Sequence, residues 1–332
     1  MNIAINGFGR IGRTFLRTVL EDKETAKKIH VVAINVGPAD LKTVAHMFKY
    51  DTIMGTYPGK VSIKNNELDI DDHRITIINE LDPKKIDWYK FSIDWVVDCS
   101  GKFTARKDAM KHIESGAKRV LISAPAKDPD ATIIPGVNDF EYNSDDDKIV
   151  SLGSCTSNAI IPMLKVLDDA FTVLHGFMTT IHAYTNTQVL LDVERKDLRK
   201  ARAAALNIIP TSTGAAKVIG EILPSLNGLI GAQAIRVPIA AVSLIDFVFT
   251  AEEKISAEKI NDAFTFASRV EPLKGILDIS FEPLVSSDYI GNNFSVTVDG
   301  LMTDTKGNVG KVLGWYDNEW GYSERMKDFL LQ

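Results

Sequence analysis

The first half of the chain alternates short apolar runs with amphipathic ones. Residues 2–6, 30–35, 95–98, 119–123 and 148–151 read as strands, while 13–20, 41–49 and 106–115 carry apolar positions at helical spacing. This βα rhythm predicts an α/β unit with a parallel sheet. The stretch 60–79 reads as strands and turns, with Val61-Ser62-Ile63 and Ile75-Thr76-Ile77-Ile78 on either side of polar Asn65-Asn66. Beyond Cys155 the apolar runs lengthen and the rhythm is lost. Residues 174–182, 232–237 and 241–250 predict long strands, and 159–171, 213–223 and 257–269 predict helices. The second half is therefore expected to be an α+β domain on a largely antiparallel sheet.

At 332 residues the chain is long for a single core, and two domains are expected. The 38 basic residues against 44 acidic ones leave a net charge of −6, which argues against a dedicated nucleic-acid footprint. No apolar run approaches the roughly 18 residues of a membrane helix, and Met1-Asn2-Ile3 opens no signal-peptide pattern. Two cysteines, Cys99 and Cys155, make no disulfide framework and point to a reducing, cytoplasmic setting. The acidic run Ser144-Asp145-Asp146-Asp147 reads as a solvated turn, and no ligand spacing supports a metal site.

Two constellations carry chemistry. The first is Gly7-Phe8-Gly9-Arg10-Ile11-Gly12, which follows the strand 2–6 and opens a helix. Glycines in that setting form the dinucleotide-binding fingerprint of a Rossmann domain. Gly7 permits the tight turn, Gly9 the close approach of a pyrophosphate onto the helix N-terminus, and Gly12 the packing of helix on strand. The second is Cys155, in Gly153-Ser154-Cys155-Thr156-Ser157-Asn158 just ahead of a helical run, with His182 at the end of an apolar strand. A free thiol, with a pKa near 8.5, is only about 3% thiolate at pH 7. Helix amides and an imidazolium can lower that pKa to about 6 and make the sulfur a nucleophile. Taken singly, each residue has an ordinary reading: cysteine and histidine as core, Arg199 as part of a solvated charged run. Arg236, between Ile235 and Val237, is less ordinary, because an apolar strand seldom carries an unpartnered arginine. Their joint occurrence points to a covalent-thiol redox enzyme.

The motifs Ala4-Ile5-Asn6-Gly7-Phe8-Gly9-Arg10-Ile11-Gly12-Arg13, Ser154-Cys155-Thr156, His182-Ala183-Tyr184-Thr185-Asn186, the run 203–217 and the run 315–323 together resemble the phosphorylating glyceraldehyde-3-phosphate dehydrogenases. The resemblance runs from Asn2 to the last helix. It implies a dinucleotide-binding domain of residues 1–153 and 319–332, with the last helix returning to it, and a catalytic domain of residues 154–318. It implies that Cys155 attacks the aldehyde of glyceraldehyde 3-phosphate, that His182 is the base, and that inorganic phosphate releases a thioester as 1,3-bisphosphoglycerate in glycolysis or gluconeogenesis. Substrate and phosphate contacts carry over to Ser154, Thr156, Thr185, Arg199, Thr213, Gly214 and Arg236. Cofactor contacts carry over to Gly7, Gly9, Arg10, Ile11, Gly12, Asn35, Val36, Ser123 and Asn318. A homotetramer is implied, with the loop 187–202 between subunits.

The chain also departs from that pattern. An aspartate commonly ends the second strand, where its carboxylate binds the adenosine ribose and repels a 2′-phosphate; here the position is Val36, followed by Gly37. One such like-charge pair costs about 4 kcal/mol at 4 Å and an effective dielectric near 20. Leu191-Asp192-Val193-Glu194-Arg195-Lys196 replaces a common Leu-Pro and brings two cations toward a neighbouring subunit's cofactor, with Glu194 opposing them. NADP, or both dinucleotides, is therefore slightly favoured over NAD alone, unless Asp40 turns in to hold the ribose. Ala159 stands where a second cysteine is usual, Leu152 where an asparagine is common, and Ile239-Ala240-Ala241 where the turn is usually more polar. Ile160-Ile161-Pro162 and Leu167-Asp168-Asp169-Ala170 lean toward the related erythrose-4-phosphate dehydrogenases, whereas Tyr184-Thr185-Asn186 and Thr211-Ser212-Thr213-Gly214 lean back more strongly. A dinucleotide-binding regulator without turnover is a third reading, opposed by the intact thiol, imidazole and phosphate set.

Overall fold

The computed structural model describes residues 1–65 and 67–332, so the Asn66 half of the expected polar turn lies outside the described residues. The chain divides into two compact units: Met1–Ile133, Asp139–Gly153 and Ser323–Gln332 form unit 1, and Ile134–Asn138 with Ser154–Tyr322 form unit 2. Residues 134–138 and 319–322 thus lie outside the unit to which the sequence assigned them. For the first segment the reason is apolar: Ile134 and Val137 are buried in the cluster that contains Leu273 and Leu277.

Unit 1 is built on β1 (Asn2–Asn6), α1 (Arg10–Glu21), β2 (His30–Asn35), α2 (Leu41–Lys49), β3 (His73–Ile78), β4 (Trp95–Asp98), α3 (Arg106–Glu114), β5 (Arg119–Ile122) and β6 (Ile149–Ser151). Within its nine-stranded sheet these strands run in the order β6-β5-β4-β1-β2-β3, all parallel. The chain winds outward from β1 in one direction through β2 and β3. It then returns to start again on the other side at β4. The gap between β1 and β4 is therefore a topological switch point, where doubly wound sheets bind their ligands at the C-terminal strand ends. Beyond β3 the antiparallel strands Glu67–Ile70 and Val61–Lys64 close one edge. Near-continuous burial of β1, β2 and β4 fits a parallel sheet covered on both faces. At its end, the chain packs Phe329 edge-on against Trp95, with ring centroids 5.6 Å apart.

Unit 2 contains α4 (Cys155–Phe171), β7 (Val173–Ala183), α5 (Ala215–Ile222), β8 (Ile230–Val237), β9 (Ser243–Ala251), α6 (Ala257–Ala267), β10 (Leu277–Ser280), β11 (Val296–Asp299) and β12 (Val309–Tyr316); the last helix, α7 (Trp320–Leu331), starts in unit 2 and belongs to unit 1 from Ser323 onward. These strands lie in the order β8-β7-β9-β12-β11-β10. The pairs β7–β9, β9–β12 and β12–β11 are antiparallel, while β7–β8 and β10–β11 are parallel, which gives the largely antiparallel sheet expected. Alternation along β7 and β9 puts Met178, Phe247 and Phe249 into a core shared with Ile160, Met163 and Leu164 of α4 and with Ile260 and Phe264 of α6. On the opposite face the cross-strand partners Phe177 and Val248 are 74% and 37% exposed.

Candidate active site

Helix α4 starts one turn earlier than the apolar pattern indicated. Ser154 is its N-cap, with its hydroxyl accepting from the Ser157 N–H at 3.1 Å, so Cys155 is the first helical residue. Its thiol sulfur stands 3.6 Å from His182 Nε2 near the end of β7. Parallel pairing of β7 with β8 sets His182 directly beside Arg236. The arginine has no carboxylate partner among the described residues; instead its Nη1 lies 2.5 Å from His182 Nδ1 and 3.1 Å from the Ala183 carbonyl oxygen. Beneath the pair lies buried Tyr316 of β12, its ring edge-on to the imidazole with centroids 5.9 Å apart. The Tyr316 hydroxyl meets the hydroxyls of Thr156 at 3.0 Å and Thr180 at 2.8 Å.

The hydrogen bonds allow His182 two neutral forms. Nδ1 also lies 2.7 Å from the Ala183 carbonyl, and one ring nitrogen cannot both donate to that oxygen and accept from the guanidinium. A proton on Nδ1, donated to Ala183, leaves the Nε2 lone pair facing sulfur and makes His182 a base. A proton on Nε2, with Nδ1 accepting from Arg236, points a donor at sulfur instead. An anion that draws the guanidinium away favours the first form.

The electrostatics correct one expectation. Burial pushes the Cys155 thiol up, against the opposing pull of Arg236 and Thr156, rather than letting the helix start bring it down on its own. Burial and then the Arg236 charge push the imidazole down to about 3, with only the Ala183 carbonyl acting the other way. Each group alone is therefore held neutral. The geometry allows a thiolate to form by moving the proton across the 3.6 Å gap to His182. That step leaves net charge unchanged and places opposite charges side by side, so what each charge loses to burial is partly offset by the other.

The remaining expected substrate residues are placed unevenly. Ser154 and Thr156 flank the thiol, but both hydroxyls already have protein partners. Thr213 bonds the Ala215 N–H at 3.2 Å, so Thr213 and Gly214 form the N-terminal end of α5. Thr185 pairs with Thr187, and Arg199 is exposed on the loop after β7. No hydrogen bond joins Thr185, Arg199, Thr213 or Gly214 to the Cys155–His182 pair among the described residues. Asn318 is buried, its amide oxygen accepting from Ser243 at 3.2 Å.

The expected cofactor residues in unit 1 have a shape suited to a dinucleotide. Gly7 has φ +92°, and a Cβ there would fall 2.6 Å from the Ser100 backbone; a Cβ on Gly12 would fall 2.3 Å from the Gly7 carbonyl. Gly9 faces open space and caps α1 without a side-chain bond, so an anion can approach the helix N-terminus there. Arg10 forms an ion pair with Asp51, Ile11 is half-buried, and Ser123 donates to the Asp98 carbonyl at 2.9 Å. Asn35 is buried and fully engaged by Asn6 and Glu80, so it shapes the crevice through scaffold bonds. Val36 is half-buried, and Asp40, the alternative ribose ligand, is committed to capping α2 through Lys42, Thr43 and the Thr43 hydroxyl. No group of three or more His, Cys, Asp or Glu side chains is placed to hold a metal among the described residues.

Sequence reading missed Tyr316, Thr180 and Ser243, which join the site from beneath. Thr180 and Ser243, polar residues in apolar strands, were the available signal; Tyr316 lay within the run 315–323 that carries the resemblance but was given no role there.

Comparison with known proteins gives the family. The glyceraldehyde 3-phosphate dehydrogenase NAD binding domain profile matches residues 1–106, and the C-terminal domain profile of the same enzymes matches residues 154–318. Glyceraldehyde-3-phosphate dehydrogenase 1 of Bacillus cereus is 48% identical over 327 residues, spanning 98% of this chain and 96% of the relative. The Geobacillus stearothermophilus enzyme of that name is 46% identical over 329 residues, spanning 99% and 96%, and that of Streptomyces coelicolor is 46% identical over 332 residues, spanning 100% and 98%. A thiol and an imidazole in contact on a fold matched along nearly its whole length leave one conclusion: the chain belongs to the glyceraldehyde-3-phosphate dehydrogenase family.

Proposed function

We propose that this chain oxidises glyceraldehyde 3-phosphate to 1,3-bisphosphoglycerate, with NAD or NADP as acceptor and inorganic phosphate as co-substrate. The observation that carries the reading is the Cys155–His182 contact at 3.6 Å on the first turn of α4. Sulfur adds to the aldehyde carbon as His182 takes the thiol proton. The Cys155 N–H, at the helix start, faces the developing oxyanion. Gly7, Gly9, Gly12 and the α1 N-terminus are the groups that would hold the phosphates of a dinucleotide, which when bound would supply the hydride acceptor. Asn318, its oxygen fixed by Ser243, keeps its NH₂ available to a carboxamide. The resulting thioester is attacked by phosphate, for which Arg236 and the N-terminus of α5 with Thr213 and Gly214 offer donors; Arg199, Thr185, Ser154 and Thr156 complete the assignment. Steady-state assays with glyceraldehyde 3-phosphate and erythrose 4-phosphate, each with and without phosphate, test it. Phosphate-dependent turnover of the first substrate is expected; phosphate-independent hydrolysis of the second would replace the reading.

NADP is accepted beside NAD on this reading, and slightly preferred. The support is local: Val36 supplies no carboxylate, Asp40 is occupied as a helix cap, and the Glu80 carboxylate accepts from Leu81 and Asp82 N–H groups. Val36→Asp is expected to shift the ratio of kcat/KM values toward NAD by at least about tenfold, equivalent to about 1.4 kcal/mol. A wild-type preference for NAD of about a hundredfold or more, some 2.7 kcal/mol, would contradict this choice.

The working unit is a homotetramer on the same reading. The bare pair Phe177 and Val248 and the loop residues Leu190, Leu191 and Leu198, which are 84%, 76% and 80% exposed, leave unit 2 with apolar surface that an isolated protomer would seldom carry. Arg195 and Lys196 on that loop then face a neighbour's cofactor. Light scattering at assay concentration is expected to give four times the 36.6 kDa chain mass, and a fully active monomer would overturn the proposal. No helix among the described residues is long and apolar enough to cross a membrane. A cytoplasmic setting is read from the two unpaired cysteines, which suit a reducing compartment.

A further inference from the structure

Asp98 ends β4 only 2% exposed, yet its carboxylate serves four donors or partners. Oδ1 accepts from the Ser100 N–H at 2.9 Å and the Ser100 hydroxyl at 2.7 Å. Oδ2 accepts from Asn6 Nδ2 at 2.8 Å and faces His112 Nε2 at 3.3 Å. The Trp88 indole N–H donates to His112 Nδ1 at 3.2 Å, which fixes the imidazole proton on Nε2, aimed at the carboxylate. His112 is itself 0% exposed, so the pair is buried within unit 1.

What the carboxylate touches gives it a purpose. Because it can only accept, Asn6 must turn its NH₂ toward Asp98 and its oxygen away. That oxygen accepts from Asn35 Nδ2 at 2.7 Å, which turns the Asn35 oxygen to the N–H groups of Glu80 at 3.0 Å and Gly37 at 3.4 Å. The amide row thus carries one orientation from β4 across β1 to β2 and the Val36-Gly37 turn. In the other direction Asp98 shapes the Ser100 backbone against which Gly7 packs with no room for a Cβ. Its own carbonyl accepts from Ser123 N–H at 3.0 Å and hydroxyl at 2.9 Å. The strand ends at the switch point therefore converge on one buried anion.

We propose that Asp98 is a positioning residue for dinucleotide binding: held by His112, it sets the geometry of the fingerprint turn, the Val36-Gly37 turn and Ser123 together. This rests on the reading of unit 1 as the dinucleotide-binding unit. Asp98→Asn keeps the shape but puts an NH₂ against a donor whichever way it turns, toward Asn6 or toward Ser100. The assay uses the full-length enzyme, with the NAD dissociation constant measured by titration calorimetry and kcat and KM measured for NAD and aldehyde. Loss of one such buried pairing is expected to raise the dissociation constant and KM for NAD by about ten- to a hundredfold, with kcat at saturating NAD and the aldehyde KM within about threefold of wild type. A residue important only to the fold would lower the active fraction and leave the NAD KM alone, so an unchanged NAD KM overturns the proposal. Failure of the wild type to bind either NAD or NADP would instead overturn the reading of unit 1. His112→Leu, which removes one donor to Asp98 and the acceptor of the Trp88 indole N–H without adding charge, gives the same test at smaller amplitude should Asp98→Asn not fold; about a fivefold rise in NAD KM at constant kcat is expected, and no rise overturns the proposal.

Discussion

Replacing Cys155 with alanine is expected to lower kcat/KM by more than about 10⁴-fold, because no other group near His182 can form a covalent intermediate. The half-buried thiol opens α4, and alanine is a better helix former than cysteine, so the fold should survive. NAD binding, measured by calorimetry, should stay within about twofold of wild type, since the fingerprint residues lie in unit 1. Residual oxidation within about a hundredfold of wild type, some 2.7 kcal/mol, would mean that the chemistry runs elsewhere.

The second large effect concerns His182. His182→Asn removes the acceptor for the thiol proton and the cation that would face the thiolate, and kcat should fall by about 10²- to 10⁴-fold, the range for general acid–base assistance. Its sign can be read separately from turnover. Burial already pushes the thiol up. With the imidazole gone, the charged sulfur loses its neighbouring cation, and the pH at which Cys155 is alkylated by iodoacetamide should rise. Wild-type and variant alkylation profiles that coincide would show that the 3.6 Å contact does not activate the sulfur.

Much of unit 1 was legible because its elements are local. Strands β1 and β2 and helix α2 have the bounds that their apolar spacing indicates, and the glycine fingerprint sits between strand and helix as its steric logic requires. The start of α4 was less legible. Thr156, Ser157 and Asn158 resemble turn residues because their side chains compete for backbone bonds, and Pro162 falls inside the helix, so the apolar signal only begins at Ala159. Cys155 and His182 could be named from sequence, but their environment could not. That His182 lies beside Arg236 follows from the register of two parallel strands joined by a long connection, and nothing local encodes it. Burial first, and then the Arg236 charge that this register brings alongside, hold the imidazole neutral, contrary to the expectation of a standing imidazolium. Asp98 was invisible for a similar reason: its partners Asn6, Ser100 and His112 come from three separate segments.

The central claim is that Cys155 carries the substrate as a thioester that phosphate releases. Rapid-quench mass spectrometry of the enzyme mixed with glyceraldehyde 3-phosphate and oxidised dinucleotide, without phosphate, tests it most directly. The account predicts one acyl group per chain, mapped to the peptide containing Cys155, absent in Cys155→Ala, and discharged on adding phosphate. Steady turnover with no acyl group on Cys155, or an acyl group that phosphate does not discharge, would contradict it.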